Sequence, residues 1–344
     1  MKFNKILITG GFGYVGSRLT PFLADAGYKI SVYDLGLYGD QGYRALSPIQ
    51  KNQIEWIKAD IRDPKSLERS LGGIDAVIHL AAISNDPTAE LDEKLTRQVN
   101  FDAVGMLVSL SKKAGVKRFI NASSSSVFGL KSEENISEEL EPEPLTFYSK
   151  YKMLSEWIIR AASSKDFCTV SVRPATICGY SPRQRFDLTV NKLTADAVKK
   201  KLITVHGGAQ RRPNIGITDM IHLYKRLLEV EDELINGKVF NFGFENLKVL
   251  EIAQLIANEV KDLSPQIQIT DTKDLRDYHI CSDKILKELR YEPVSSIRKE
   301  VAELRLALLK EEFSNIDDER FYNLKIMNLS LNSDSYKFLS EKVK

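Results

Sequence analysis

Residues 9–16 of this 344-residue chain read Thr9-Gly10-Gly11-Phe12-Gly13-Tyr14-Val15-Gly16, directly after the apolar run Lys5-Ile6-Leu7-Ile8-Thr9. The apolar run predicts a β-strand, and the glycine-rich stretch predicts a tight turn into a helix over residues 14–26. Gly10 permits the turn, Gly13 keeps a side chain out of the approach path, and Gly16 lets helix and strand pack closely. Backbone N–H groups at such a turn can bind a pyrophosphate, although the glycines alone also fit an ordinary strand–turn–helix.

The first half of the chain alternates short apolar runs with amphipathic stretches. Each apolar run has the length of a buried strand, and each intervening stretch can form a helix. This alternation predicts an α/β fold with a Rossmann-type doubly wound parallel sheet. The predicted strands are Lys5–Thr9, Lys29–Asp34, Ile54–Lys58, Ala76–Leu80, Val116–Ala122 and Cys168–Val172, and the main predicted helices cover residues 14–26, 92–114, 148–163 and 188–200.

A carboxylate at the end of the second strand indicates which dinucleotide would bind. Asp34 lies 18 residues after Gly16 (34 − 16 = 18), without an arginine beside it. Its carboxylate could accept hydrogen bonds from both ribose hydroxyls of adenosine and would repel the extra phosphate of NADP. The sequence therefore predicts NAD as the cofactor. Asp60, after the third strand, could contact the adenine, but a helix N-cap is the alternative there, and Asp63 fits that second role better.

Composition restricts the class of protein. The chain is 43% hydrophobic and carries 49 Lys and Arg against 47 Asp and Glu, a net charge of about +2. This balance gives no electrostatic reason to expect nucleic acid or an anionic membrane as a partner. The three cysteines form no CxxC pair, so we expect neither a structural metal nor a disulfide framework. A strand that begins almost at the first residue leaves no room for a signal peptide, and we expect a cytoplasmic protein.

The pattern Tyr148-Ser149-Lys150-Tyr151-Lys152 carries the predicted chemistry. Tyr148 and Lys152 are four residues apart and share one face of the predicted helix. The Lys152 ammonium, with a positively charged nicotinamide ring, would lower the pKa of Tyr148, so that the phenolate could take a proton from a hydroxyl while hydride leaves the same carbon. Ser124, just after the fifth strand, could hold the substrate oxygen; Ser125 is the second choice for that role. The pattern alone also fits a solvated helical face.

These motifs together resemble the extended short-chain dehydrogenase/reductase family, in the branch that acts on nucleotide sugars. The resemblance covers roughly residues 3–310 and rests on TGGFGYVG at 9–16, HLAA at 79–82, SSSSVFG at 123–129 and YSKYK at 148–152. UDP-galactose 4-epimerases are the best-known members. The resemblance implies NAD-binding roles for residues spread along the first half: Gly10, Phe12, Gly13, Tyr14, Val15, Gly16, Asp34, Asp60, Ile61, Leu80, Ala81, Ala82, Asn100, Tyr148 and Lys152.

The second half resembles a subgroup linked to bacterial surface polysaccharides, through the stretches at 181–197 and 211–219. That subgroup contains sugar-nucleotide epimerases and 4-dehydrogenases, including ones for GDP-linked heptose. The strand–helix alternation loosens after about residue 175, so we expect an NAD-binding domain over 1–175 with later segments interleaved, a smaller α/β lobe that binds the nucleotide sugar over 176–314 and a polar C-terminal tail over 315–344. The substrate-contacting residues that the resemblance implies are Ser84, Ser125, Thr176, Arg183, Arg185, Asn191, Arg212 and Arg276, with Asn191 and Arg212 on the diphosphate. Each arginine could instead form a surface ion pair.

Departures from the family pattern bear on the reaction. Ser84 stands where galactose epimerases often carry lysine, and Thr176 where they carry asparagine, so the galactose/glucose assignment stays open. The 4,6-dehydratases of the family place Asp-Glu where this chain has Ser125-Ser126, which argues against dehydration. The leading prediction is an NAD-dependent 4-epimerase; the alternative is a nucleotide-sugar 4-dehydrogenase or 4-ketoreductase. A cofactor-binding regulator is a third class, but such proteins usually lack the tyrosine or the lysine. The family also suggests a homodimer through the helices at 92–114 and 147–163.

Overall fold

The computed structural model describes residues 2–131, 133, 135–272 and 279–332. Its strands, numbered in chain order, are β1 Lys5–Thr9, β2 Lys29–Tyr33, β3 Ile54–Ile57, β4 Ala76–His79, β5 Arg118–Ala122, β6 Cys168–Pro174, β7 Thr176–Cys178, β8 Leu202–His206, β9 Arg211–Gly216, β10 Lys238–Phe242, β11 Glu245–Lys248 and β12 Gln266–Thr270.

The α-helices are α1 Gly16–Asp25, α2 Gln41–Arg44, α3 Pro48–Gln53, α4 Pro64–Ser70, α5 Asp86–Ala89, α6 Glu93–Arg97, α7 Ala103–Lys113, α8 Phe147–Ala162, α9 Thr189–Lys200, α10 Ile217–Glu229, α11 Asp232–Ile235, α12 Val249–Glu259, α13 Asp283–Glu288, α14 Ile297–Leu309 and α15 Asn323–Leu331. A π-helical turn covers Gln98–Asp102, and short 3-10 turns cover Ser125–Phe128, Lys261–Leu263 and Glu319–Phe321.

A parallel sheet forms the centre of the molecule. Across the described residues it has seven strands in the order β10-β6-β5-β4-β1-β2-β3. Side chains alternate across it: Ile6 and Ile8 of β1 join the core on one face, and Leu7 joins the core on the other. Helices cover both faces, as a buried parallel sheet requires. The predicted α/β Rossmann-type fold is confirmed, and the six predicted strands are all present. The seventh strand, β10, was not predicted.

Smaller sheets and a second core follow β6. Within the described residues, β11, β9 and β7 form one sheet, and β12 and β8 another. Helices α9, α12 and α14 pack around a second apolar core that includes Phe186, Ile252 and Leu304. Among the described residues, no helix combines the length and the apolar character that a membrane span requires.

The helix predicted over residues 92–114 is divided in the structure. α6 and α7 are joined by the π-helical turn, which contains Asn100. The Asn100 side-chain amide accepts a hydrogen bond from the Ile83 N–H and donates one to the Ile83 carbonyl. The backbone carbonyl of Asn100 accepts a hydrogen bond from Ser155 Oγ at 2.6 Å. These tertiary bonds accompany the local widening of the helix, a feature that hydrophobic periodicity does not report.

Candidate active site

A cavity of about 460 Å³ lies at the carboxyl edge of the central sheet, where ligands of doubly wound folds bind. The turn after β1, the loops after β2 to β5, and the first turn of α8 all line it. The cavity also has walls from the loop after β7 and from α15. It brings together predicted residues that lie far apart in the chain: Gly10, Gly13, Tyr14, Val15, Gly16, Asp34, Asp60, Ile61, Leu80, Ala81, Ala82, Ser84, Ser124, Ser125, Tyr148, Lys152, Thr176, Arg183 and Arg185.

The three glycines of the first turn have distinct steric positions. Gly10 has φ +70°, and a Cβ there would lie 2.7 Å from the backbone nitrogen of Ala81. A Cβ on Gly16 would lie 2.4 Å from the Gly10 carbonyl oxygen, so only glycine fits where α1 passes the turn. A Cβ on Gly13 would meet only the Gly10 oxygen, at 3.2 Å, and Gly13 faces the cavity. This glycine turn, called the cradle below, leaves room for a pyrophosphate to approach the backbone N–H groups directly.

The carboxylate of Asp34 is held in place at the end of β2. One oxygen accepts the Phe12 N–H at 3.0 Å, and the other accepts the Gly36 N–H at 2.8 Å. Burial raises the pKa of Asp34, while these two N–H groups and the nearby Arg183 oppose the rise. An oriented carboxylate at this point of the cavity fits a ribose diol.

Asp60 faces the same cavity beside Arg62. The Arg62 Nη2 atom lies 2.7 Å from an Asp60 carboxylate oxygen, and both residues line the cavity wall. The alternative cap role belongs to Asp63, which accepts hydrogen bonds from Lys65 N and Ser66 N at the start of α4. The sequence interpretation of Asp63 as the cap is therefore confirmed, and it leaves Asp60 to the cavity.

The first two turns of α8 place Tyr148 and Lys152 on the cavity wall. Thr146 caps the helix, because its Oγ1 accepts the Ser149 N–H at 3.2 Å while Ser149 Oγ accepts the Thr146 N–H. Lys152 Nζ donates to the Ala122 carbonyl at 2.7 Å and lies 5.9 Å from the centre of the Tyr148 ring. The helix thus carries an acid–base group and a cation on one face, at the end of β5.

Ser124 completes the group from the other side. It follows β5, and its Oγ accepts hydrogen bonds from Ser126 N at 3.2 Å and from Ser126 Oγ at 2.9 Å. Hydrogen bonding from Ser124 also acts on the Tyr148 hydroxyl. Ser125 lines the cavity as well. The hydroxyls of Ser124 and Tyr148 can therefore bind one substrate oxygen from two sides.

The protein's own groups shift the pKa of Tyr148 upward, whereas the predicted lowering refers to the enzyme with a nicotinamide cation bound. Burial is the largest cause that raises the pKa of Tyr148 to about 12; the carboxylate of Asp86 also raises it, and Ser124 and Arg185 only partly oppose the rise. Burial also lowers the pKa of Lys152 to about 8. The prediction assumed that Lys152 and a nicotinamide cation dominate, but desolvation of the phenol outweighs the effect of the protein's own charges.

Asp86 is a cavity residue that the sequence analysis missed. One of its carboxylate oxygens accepts a hydrogen bond from Thr146 Oγ1 at 2.6 Å, which connects α5 to the cap of α8. The preceding Asn85 has φ +75°, an uncommon conformation for a residue other than glycine. Its side chain bonds Thr88 N and Asp187 Oδ2. The position after the fourth strand, just past HLAA, could have indicated this residue.

On the substrate side, the structure divides the predicted residues. Ser84, Thr176, Arg183 and Arg185 line the cavity. Arg185 is also paired with Asp187, at 2.8 Å between Nε and the carboxylate. Arg276 lies outside the described residues.

Asn191 and Arg212 do not line this cavity. Asn191 is fully buried, and its amide bonds Gly179 N, Tyr14 Oη and the Arg185 carbonyl, so it supports the wall from behind. Arg212 lies on β9 and donates to the Arg211 carbonyl. The Asn191 amide is therefore committed to partners within the protein, whereas the diphosphate contact of Arg212 stays a prediction.

The side chains of two predicted cofactor residues lie outside the lining of this cavity. The Phe12 ring is buried against Tyr43 and Trp56, and only its backbone N–H reaches Asp34. Asn100 is 2% exposed and uses its amide on the backbone of Ile83. Neither side chain lines the cavity, because both are engaged within the protein.

His79 is buried at the end of β4. The ring is 1% exposed, and its Nδ1 lies 2.7 Å from Thr9 Oγ1. Burial, followed by the charge of Lys152, lowers the pKa of His79 to about 3, so the imidazole is neutral near pH 7. The interpretation of this histidine as a packed, hydrogen-bonded core residue is confirmed. In the part of the chain that the structure describes, no group of three or more potential ligand side chains could hold a metal ion.

Comparison with known proteins gives the family. A profile described as the NAD dependent epimerase/dehydratase family matches residues 6–243. An uncharacterized protein of Sinorhizobium fredii, y4nG, is 33% identical over 175 residues, which are 51% of this chain and 41% of that protein. The UDP-glucose 4-epimerase of Dictyostelium discoideum is 25% identical over 237 residues, 64% of this chain and 68% of the relative. The chain thus spans about two fifths of the first of these relatives.

Among solved structures, a UDP-glucuronic acid 4-epimerase from Bacillus cereus, in complex with UDP-glucuronic acid and NAD, superposes with a TM-score of 0.78. It is 25% identical, and the match covers 89% of this chain and 99% of the other. The family profile covers well over half of the chain, including the glycine turn and the tyrosine–lysine pair. The protein is therefore an enzyme of the NAD dependent epimerase/dehydratase family.

Proposed function

We propose that this enzyme is a nucleotide-sugar 4-epimerase that works through a transient 4-keto sugar. The observation that carries the proposal is the single cavity shared by the glycine turn, Asp34, Ser124, Tyr148 and Lys152. It joins a dinucleotide cradle to a proton-transfer group. The structure of the Bacillus cereus UDP-glucuronic acid 4-epimerase, which contains a nucleotide sugar and NAD, supports a 4-epimerase function for a chain with this fold.

The cavity residues fit NAD. The turn at Gly10 and Gly13 would hold the pyrophosphate, Asp34 the adenosine ribose, and Lys152 the nicotinamide ribose. Asp34 also disfavours NADP, because a 2′-phosphate would meet a buried carboxylate. When bound, the cofactor would supply the hydride acceptor and donor for C4 of the sugar.

Three side chains would take part in proton transfer at the C4 oxygen of the sugar. Ser124 and Tyr148 would bind this oxygen by hydrogen bonds. Tyr148, as the phenolate, would accept the proton of the C4 hydroxyl in the first half-reaction, and the resulting phenol would return a proton to the C4 oxygen in the second. Lys152, buried beside the ring and anchored to the Ala122 carbonyl, would stabilise negative charge on the phenol oxygen.

Epimerisation is favoured over dehydration by the residues after Ser124. Ser125 and Ser126 line the cavity at positions where the family's 4,6-dehydratases were expected to carry an acid–base pair. A serine hydroxyl, unlike a carboxyl group, cannot serve as the acid or base that elimination of water requires near neutral pH. A 4-dehydrogenase or 4-ketoreductase would use the same three catalytic residues, and it differs from an epimerase in releasing a keto sugar or an oxidised or reduced cofactor.

A nucleotide-sugar substrate is part of the proposal, and Arg183 and Arg185 on the cavity wall would balance its diphosphate. A role in surface-polysaccharide synthesis in the cytoplasm, and a homodimer through α7 and α8, also belong to the proposal. The exposed Trp157 on α8, 53% accessible, is consistent with a covered face there.

The test is proton NMR of nucleotide sugars incubated with the purified enzyme without added cofactor. The panel would contain UDP-, GDP-, CDP- and dTDP-linked hexoses and GDP-heptose. A new anomeric signal that grows beyond the enzyme concentration supports epimerisation and identifies the sugar. A keto sugar formed only in proportion to enzyme would instead establish a dehydrogenase that needs a second substrate.

Matched variants link the signal to the proposed site. Tyr148→Phe should lower the rate by about a hundredfold or more, because it removes the acid–base hydroxyl. Tyr151→Phe is the control. Tyr151 lies on the same helix, but its hydroxyl donates to Glu93 and the residue does not line the cavity, so this variant should keep most of the activity. Equal activity of the two variants would contradict the assignment of Tyr148.

A further inference from the structure

The C-terminal helix α15 contributes to the active-site cavity although it lies beyond the part of the chain that the family profile matches. The profile ends at residue 243, whereas α15 covers Asn323–Leu331. Asn323, Met327 and Ser330 nevertheless line the same cavity as Asp34 and Tyr148. We propose that α15 is a cofactor-retaining wall, in which Asn323 and Met327 slow the release of the dinucleotide. The inference rests on the proposed NAD-dependent function.

Asn323 ties α15 to both sides of the cavity. It is 1% exposed, and its Nδ2 donates to Ser84 Oγ at 2.9 Å, in the loop after β4. Its Oδ1 accepts a hydrogen bond from Arg183 Nη2 at 2.6 Å, and its backbone N–H donates to Asp187 Oδ2 at 3.1 Å. One side chain therefore bridges the sheet edge and the loop after β7.

Aromatic packing fixes the segment immediately before α15. The Phe321 carbonyl accepts the Phe186 N–H at 3.0 Å. The Phe321 ring packs edge-on against Phe186 and Phe313, with ring centres 5.1 and 5.5 Å apart. All three rings are buried in the second core, so the start of α15 is anchored to the folded protein.

Met327 closes the apolar part of the wall. It is 3% exposed and packs in a cluster with Ile83, Ala89 and Leu95. Leu37 and Tyr148 pack against the same cluster. Leu37 follows β2, the strand that leads to Asp34, so α15 spans from the adenosine side of the cavity to the catalytic tyrosine.

Asn323 also positions a buried cation. Arg183 is 3% exposed, and its guanidinium lies 4.2 Å from the centre of the Tyr38 ring. Its Nε is buried without a hydrogen-bond partner, and the side chain lines the cavity near Asp34. An unpaired buried donor of this kind is costly unless a ligand accepts from it, which suits a phosphate or ribose oxygen.

This wall suits an epimerase. The cofactor ends each epimerisation cycle unchanged, so the enzyme gains nothing by releasing it. A dinucleotide bound between the glycine turn and α15 could leave only after Met327 and the Asn323 bonds move. A helix fixed at these points therefore favours long retention.

The experiment measures cofactor dissociation from the full-length protein. The enzyme is first loaded with radiolabelled NAD. Excess unlabelled NAD is then added, so that released label cannot rebind, and the label that stays on the protein is followed over time. Asn323→Ala and Met327→Ala should each raise the dissociation rate by about tenfold or more. Leu329→Ala is the matched control, because Leu329 lies on α15, is 54% exposed and does not line the cavity.

The outcomes separate this inference from the proposed function. If the parent protein binds no NAD, both fail. If it binds NAD but both variants release it at the parent rate, the retaining wall is refuted and the proposed reaction stands. Circular dichroism at the assay temperature verifies that the variants are folded. If Asn323→Ala does not fold, the decision rests on Met327→Ala, which deletes apolar contacts without breaking a hydrogen bond.

Discussion

A substitution at Gly13 should separate cofactor binding from folding. Gly13 has no left-handed backbone conformation, and an added Cβ would meet only the Gly10 oxygen, at 3.2 Å. The residue faces the cavity at the predicted pyrophosphate site. Gly13→Ala therefore places a methyl group in the approach path of the phosphates and leaves the packing of α1 nearly intact.

The two effects have different magnitudes. Gly→Ala at a compatible backbone position stabilises a protein by about 0.4–1 kcal/mol through the unfolded state. The 3.2 Å contact requires a shift of a few tenths of an ångström and should offset much of this gain, so the net change in unfolding free energy should be near zero. NAD affinity should fall at least about tenfold, or about 1.4 kcal/mol, because the methyl group keeps the pyrophosphate away from the backbone N–H groups.

The assays are chemical denaturation without ligand and calorimetric titration with NAD. Gly72→Ala is the neutral control, since its Cβ would lie 3.6 Å from its nearest neighbour and away from the cavity. Gly16→Ala is the opposite control: its Cβ would lie 2.4 Å from the Gly10 oxygen, so it should lose stability by about 1–3 kcal/mol or more. A folded Gly13→Ala protein with unchanged NAD affinity would refute the reasoning about the cradle.

Three further substitutions test one charged group of the site and two buried titratable groups outside it. Asp86→Asn removes a charge that raises the pKa of Tyr148, so the acidic limb of the kcat/KM profile should move to lower pH; an unmoved limb would contradict this coupling. Arg173 is buried, and its Nη2 lies 2.7 Å from a carboxylate oxygen of Glu156. Glu156→Gln leaves Arg173 without its counter-charge, so the unfolding free energy measured in urea should fall by about 3–5 kcal/mol. A loss under about 1 kcal/mol would show that the pair is not important for stability. The pKa of His79 is lowered in the folded state to about 3, whereas in the unfolded chain it should be about 6.5. Protonation of the unfolded chain should therefore reduce the free energy of unfolding by about 2 kcal/mol between pH 7 and 5. A His79→Gln variant measured in the same titration should lack this part of the loss.

Local patterns predicted the part of the fold that local physics determines. The glycine turn, the six strands and the Tyr148–Lys152 spacing follow from steric rules and periodicities that act within a few residues. Parallel strands then bring their carboxyl ends to one edge, which places Asp34 and Ser124 in one cavity without further information. This part of the site could be predicted from the sequence because topology alone assembles it.

The remaining residues depend on contacts between distant segments. Asn191 resembles a ligand residue, yet its amide is used up by three partners within the protein. Asn323 and Met327 lie in a polar tail whose sequence gave no indication of an active-site position, and their roles arise only when α15 packs across the sheet edge. Asp86 had a usable signal, since it follows the fourth strand, but its effect on Tyr148 depends on the distance between α5 and α8.

The charge balance around Tyr148 bears on the proposed two-step reaction. Burial and, to a smaller extent, Asp86 raise its pKa to about 12, so the protein's own groups keep the hydroxyl protonated and able to donate. An epimerase needs the same oxygen first as a base and then as an acid. Tyr148 would have a lower pKa beside the positively charged oxidised cofactor and a higher one beside the neutral reduced form. A tyrosine whose pKa is raised by burial would therefore give up its proton more readily beside oxidised NAD, and it would hold the proton to be donated to the 4-keto oxygen more strongly beside the reduced form.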